Sequence, residues 1–108
     1  MFNIDENYTI HLTRGDTCVF QINLLDAEGN TYIPHEGDEL RFALAKSYAG
    51  DVLVLKNIPV NTLILKIDPQ DTKELDFGNY VYDIQFTDYE GNVSTIILGK
   101  FTLTKEVA

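Results

Sequence analysis

Asp76-Phe77-Gly78-Asn79-Tyr80-Val81-Tyr82-Asp83-Ile84 is the stretch on which the fold of this 108-residue sequence turns. Its Asp-x-Gly-x-Tyr spacing is that of a tyrosine corner, in which a tyrosine near the start of a strand bonds backbone a few residues upstream. Gly78 frees the chain to turn two places before Tyr80, and Asp76 lies four places back, so Tyr80 is the expected corner residue. From there Tyr80, Tyr82, Ile84 and Phe86 alternate with Val81, Asp83 and Gln85. A period of two marks a strand buried on one face.

The same period extends in both directions. Tyr8, Ile10 and Leu12 form one run, and Cys18, Phe20, Ile22 and Leu24, alternating with Val19, Gln21 and Asn23, form another. Further runs fall at residues 40–44, 52–55, 63–67, 93–98 and 101–103. Residues 20–25 are followed by Asp26-Ala27-Glu28-Gly29-Asn30, and residues 82–87 by Asp88-Tyr89-Glu90-Gly91-Asn92. In both pentapeptides Asp can bond its own backbone two residues on, while Gly and Asn tolerate positive φ, so both read as hairpin turns. A single helical turn is expected near residues 69–75, with Asp68 as N-cap, Pro69 at the first helical position and Asp71 complementing the dipole.

Seven or eight short antiparallel strands, one helical turn and a tyrosine corner together predict an all-β, immunoglobulin-like β-sandwich. Tyr82 then stands where such a sandwich often carries a disulfide cysteine. Residues 1–108 are expected to make one domain with one core, since a chain this long buries roughly two-thirds of its unfolded surface. Phe20, Ile22, Phe42, Leu65, Tyr82, Ile84 and Phe101 are predicted to fill the space between the sheets.

Seventeen acidic residues against eight Lys and Arg give a formal charge of −9 with His neutral. Such a balance repels phosphate backbones and anionic lipid, and no basic cluster with interleaved aromatics appears, so neither nucleic acid nor membrane is an expected partner. The start, Met1-Phe2-Asn3-Ile4-Asp5-Glu6, has neither the basic nor the apolar region of a secretory signal, and no apolar run reaches spanning length. Synthesis in the cytoplasm is expected. Cys18 is the only cysteine, which excludes an internal disulfide.

Residues for catalysis are few. The sequence holds His11, His35, Cys18 and two serines, Ser47 and Ser94, with no spacing that joins a nucleophile to a base. Cys18 shares the inward phase of Phe20 and Ile22, where a thiol is packed and inert. Asp68, Asp71, Glu74 and Asp76 form the one acidic group that suggests calcium, but their spacing matches no EF-hand loop and capping accounts for two of them. No phosphate loop or dinucleotide fingerprint is present, so no cofactor is expected. Arg14-Gly15-Asp16 spells the tripeptide integrins bind on exposed loop tips, and reads equally as a turn between two strands. Asn7-Tyr8-Thr9 and Asn92-Val93-Ser94 are glycosylation sequons, which matter only after secretion. The expectation is a protein without enzymatic activity.

Thr13-Arg14-Gly15-Asp16-Thr17 before the Phe20 strand, Asp26-x-x-Gly29-Asn30, Asp68-Pro69-x-Asp71-Thr72 and Gly78-x-Tyr80-x-Tyr82-Asp83-Ile84 follow one another in an order that resembles a phage family. It is similar to the N-terminal domain of phage baseplate upper proteins and to related small tail-associated proteins of phages and prophages of Gram-positive hosts. The likeness runs from about residue 10 to residue 103. It implies an immunoglobulin-like sandwich that docks a fibre or receptor-binding component by surface complementarity, a virion location, and other tail or baseplate proteins as partners, with self-association as a further option. Longer family members continue into a helical stem and a distal receptor-binding part, whereas this sequence stops at Ala108, as a standalone adaptor or an excised domain would. The terminal segments, residues 3–12 and 100–107, are the expected interaction edges, with Lys100 and Lys105 discouraging indiscriminate pairing. An adhesin-like or carbohydrate-binding module is the alternative; it would present loop aromatics, for which Tyr32, Tyr48 and Tyr89 are the candidates.

Overall fold

The computed structural model describes the backbone of residues 2–4 and all of residues 8–105. Its strands are β1 (Phe2–Ile4), β2 (Ile10–Thr13), β3 (Cys18–Gln21), β4 (Glu39–Ala45), β5 (Val52–Ile58), β6 (Ile64–Ile67), β7 (Gly78–Thr87) and β8 (Val93–Thr104), with a short helix α1 (Pro69–Lys73) between β6 and β7. They form a six-stranded sheet in the order β1-β2-β8-β7-β4-β5, faced by a two-stranded sheet of β3 and β6. This is an immunoglobulin-like sandwich. Five strands of the larger sheet, β2-β8-β7-β4-β5, correspond to A′-G-F-C-C′ and the smaller pair to B-E.

The alternation in the sequence becomes the two faces of each layer. Ile10, Phe42, Leu65, Ile84 and Phe101 are fully buried between the sheets, while their strand neighbours face outward. At the crossover from β6 to β7, Asp71 accepts the Asp68 backbone N–H at 2.8 Å, and Pro69 opens α1. The chain then turns through Gly78 at φ +134°, and the Tyr80 hydroxyl donates to the Asp76 carbonyl at 2.6 Å. The two Asp-x-Glu-Gly-Asn turns are built alike. Asp26 Oδ1 accepts the N–H groups of Glu28 and Asn30, and Asp88 Oδ1 those of Glu90 and Asn92, all at 2.9–3.0 Å.

Several sequence expectations change. Residues 93–98 and 101–103 belong to one strand, because β8 runs through Gly99 without a turn. Tyr8 is not an inward strand residue: it lies outside β2, at φ +61°, and is 57% exposed. Phe20 faces inward opposite Leu65 and packs against the core, but it is only half-buried, for a reason that lies in the flank described below. Not every pair is antiparallel, since β2 runs parallel to β8, with Ile10 opposite Phe101 and Leu12 opposite Leu103. The same pairing keeps only part of the expected terminal edges: β1 stands at the edge of the sheet, whereas β2 lies between β1 and β8, and residues 101–104 of β8 lie between β2 and β7. Residues 5–7 and 106–107 of those segments lie outside the described residues.

Candidate functional site

The two sheets do not close equally along their length. β3 pairs with β6, and among the described residues with no other strand. Beyond Gln21 the chain stays extended, held by the Ile22 N–H on the Leu63 carbonyl at 2.7 Å and by a bridge between Leu25 and Thr31. On the facing sheet β2 covers β8 only from Phe101 to Thr104, so that among the described residues positions 93–98 pair with β7 alone. The register of β7 and β8 shifts after Ile84, with Ile84 opposite Ile97 and Gln85 opposite Thr95, which leaves Ile96 as an extra residue in β8.

Between these two strand edges lies a groove of about 700 Å³. Phe20, Ile22 and Leu24 form one wall, Ile96 and Ile97 the other, and Tyr8 and Tyr82 reach its floor. Among the described residues no charged side chain lines it. Phe20 is only half-buried because, among the described residues, no strand covers it here. The floor is held by one long-range contact: Tyr82 stacks on Phe42 with centroids 5.4 Å apart and donates its hydroxyl to the Tyr8 carbonyl at 2.6 Å. Gly99 is needed beside it. A Cβ there would lie 2.7 Å from the Tyr8 carbonyl oxygen and 2.8 Å from the Tyr82 ring.

A second group gathers at the loop end of the sandwich. The Asp38 side chain is fully buried and accepts three bonds, from the Tyr32 hydroxyl at 2.8 Å, the His35 N–H at 2.7 Å and the Tyr89 N–H at 2.8 Å. Burial alone would raise the Asp38 pKa, but these donors outweigh it and hold the carboxyl below the usual carboxylate range. Burial and the bond to Asp38 push the Tyr32 hydroxyl up to about 12. The His35 and Tyr89 rings lie 4.8 Å apart, and Tyr89 is exposed. Tyr32 and Tyr89 therefore meet, whereas Tyr48 lies apart with its hydroxyl 3.4 Å from the Gly99 carbonyl.

Other sequence candidates have local structural partners. The Cys18 thiol is buried, and burial pushes it up to about 12, so it is a poor nucleophile at neutral pH. Lys56 places its ammonium 2.9 Å from the Asp71 carboxylate and 3.2 Å from that of Asp68, and Lys56 is first among the groups that hold Asp68 below its ordinary value. Among the described residues no three His, Cys, Asp or Glu side chains gather as a metal site. The Arg14-Gly15-Asp16 turn is tied down: Arg14 donates to the Leu75 carbonyl at 3.2 Å and lies over the Phe77 ring, while the Gly15 N–H reaches the Thr72 hydroxyl.

Sequence reasoning did not single out Asp38, Gly99 or the wall of Ile96 and Ile97. Asp38 follows Gly37 directly before an apolar run, which by itself reads as an exposed turn.

No family model matches the sequence, and no curated protein is similar to it. Among solved structures, the crystal structure of CopC from Methylosinus trichosporium OB3b is similar over 68% of this chain and 72% of that chain, at 19% identity and a TM-score of 0.42. At that distance the likeness bears on neither the site nor its chemistry, and the sandwich assignment rests on strand order alone.

Proposed function

We propose that this chain is a non-enzymatic assembly module of a phage or prophage tail or baseplate, docking an extended segment of a fibre or receptor-binding component through protein contacts. The apolar groove between the unpaired edges of β3 and β8 carries this reading. A strand laid there gains backbone bonds from an edge and buries alternate side chains against Phe20, Ile22, Leu24 and Ile97, the physics of β-strand addition. Among the described residues the groove's lining holds no Ser, Thr, Cys, His, Lys, Arg, Asp or Glu. Asp26 and Glu28 stand in the turn that follows one wall, and Asp88 and Glu90 in the turn that precedes the other, so a segment with apolar alternation and basic residues at its end is the complementary ligand.

The test is direct. A photo-crosslinking residue at position 20, on the groove wall, should join the purified chain to the product of a neighbouring tail gene, and Ile96→Asp should abolish the product. Crosslinks that ignore Ile96→Asp would overturn the docking site. Neighbouring sortase or polysaccharide genes would overturn the phage setting.

A carbohydrate-binding or adhesin-like module is the second reading, favoured by the meeting of Tyr32, His35 and Tyr89 over Asp38. Binding on a glycan array that is lost on Tyr89→Ala would favour it over the first.

A further inference from the structure

The side chains of Asp38, Tyr32 and His35 form a hydrogen-bonded row that runs in one direction only. Asp38 is fully buried and, as a carboxylate, can only accept. The Tyr32 hydroxyl has one proton and gives it to Asp38 Oδ2 at 2.8 Å. Its oxygen also lies 3.1 Å from His35 Nδ1, and with the hydroxyl proton committed to Asp38 that contact needs a proton on Nδ1. Neutral His35 is therefore the Nδ1–H tautomer, and Nε2 carries a lone pair. The row is fixed at both ends. Tyr32 meets Phe86 edge to face with centroids 5.3 Å apart, and the His35 backbone N–H donates to Asp38 Oδ2 at 2.7 Å.

Clamping of the loops accounts for Asp38 but not for an oriented imidazole left in water. The His35 side chain is 57% exposed, so its orientation contributes little to packing. Tyr89 is laid beside it with ring centroids 4.8 Å apart, and it too is exposed. Gly37 permits that approach: at φ +97°, a Cβ there would lie 3.4 Å from the Cβ of Tyr89.

We propose, resting on the carbohydrate reading of this loop end, that His35 Nε2 accepts a hydroxyl of a neutral or amino-bearing pyranose whose apolar face lies on the Tyr89 ring, with Tyr32 and Asp38 as positioning residues. A saccharide offers many donors and has apolar faces, and a fixed acceptor beside an exposed aromatic ring complements both. Charge decides among sugars. The carboxylates of Glu90, Asp88 and Asp38, Glu90 foremost, raise the Tyr89 hydroxyl above its ordinary value, and the same field in a chain of charge −9 repels a uronate or a phosphorylated sugar.

Two measurements on the full chain test this. Nitrogen chemical shifts at about pH 8.5, where an ordinary imidazole is neutral, should show a protonated Nδ1 and a bare Nε2 in His35, and Tyr32→Phe should shift the ring toward the Nε2–H form. On an array of neutral, amino-bearing and acidic saccharides, the chain should retain members of the first two classes and none of the third. Tyr32→Phe should weaken that binding about fivefold, and His35→Ala at least as much, with the circular dichroism spectrum unchanged. If Nδ1 is protonated and no saccharide binds, the carbohydrate reading falls and the ligand assigned to His35 falls with it. Saccharide bound by an Nε2–H imidazole, or bound equally well by His35→Ala, would overturn the role of His35 and leave the carbohydrate reading standing; acidic saccharides held as tightly as neutral ones would overturn the ligand class.

Discussion

Tyr80 and Tyr82 stand two residues apart on the same face of β7, and the difference between their surroundings is the difference between the two halves of this sandwich. Tyr80 bonds four residues back, to Asp76, in the half where β2 seals β8. Tyr82 bonds Tyr8, 74 positions away in sequence, on the floor of the half where, among the described residues, no strand covers β8. One tyrosine closes a turn; the other fastens the chain's start beneath an open groove. Gly99 marks the boundary, because only a residue without Cβ lets the Tyr8 carbonyl and the Tyr82 ring approach β8 together.

The comparison is broken most severely by deleting rings on its two sides. Phe42→Ala removes a fully buried ring and should cost about 3 to 5 kcal/mol, much of a total stability of about 5 to 15. Phe20→Ala, on the groove wall, should cost only about 1 to 2 kcal/mol, because part of that ring is already in water. Urea unfolding of both variants checks the ratio; equal losses would mean that the flank is closed in solution.

Gly99→Ala should follow, at about 1 to 3 kcal/mol, since the added methyl meets backbone oxygen and a packed ring. The two tyrosines come next: Tyr80→Phe and Tyr82→Phe should each cost about 1 kcal/mol, the net value of one hydrogen bond. They should differ in reach. Tyr80→Phe should disturb chemical shifts near residue 76, and Tyr82→Phe those near residue 8.

The smallest effect is set by pH. The Asp38 pKa is depressed by folding, so its contribution is present above the unfolded value near 4 and is lost as pH falls through the lower folded value. Acid titration should therefore loosen Tyr32 and Tyr89, followed by near-ultraviolet dichroism, below about pH 4 and not between pH 5 and 8. Asp38→Asn should remove that acid step.

The corner, the twin turns and most of the core were legible because each is local: a spacing, a turn chemistry, a period of two. The partial exposure of inward-facing Phe20 was not legible, because the period gives the face of a strand and not what lies across from it. Asp38 was missed for the same reason, since one of its three donors, Tyr89, comes from a loop 51 positions away that only the fold brings near. The break in β8 was hidden too: the run from residue 93 to 104 continues, and only the arrival of β2 at Phe101 divides it.

Amide exchange measured residue by residue along β8 tests the open flank most directly. In residues 101–104, with strands on both sides, every amide should be protected; in residues 93–98 alternate amides should point into the groove and exchange on the order of 100-fold faster. Uniform protection along the whole of β8 would show that a strand already fills the flank, and the docking groove would not exist.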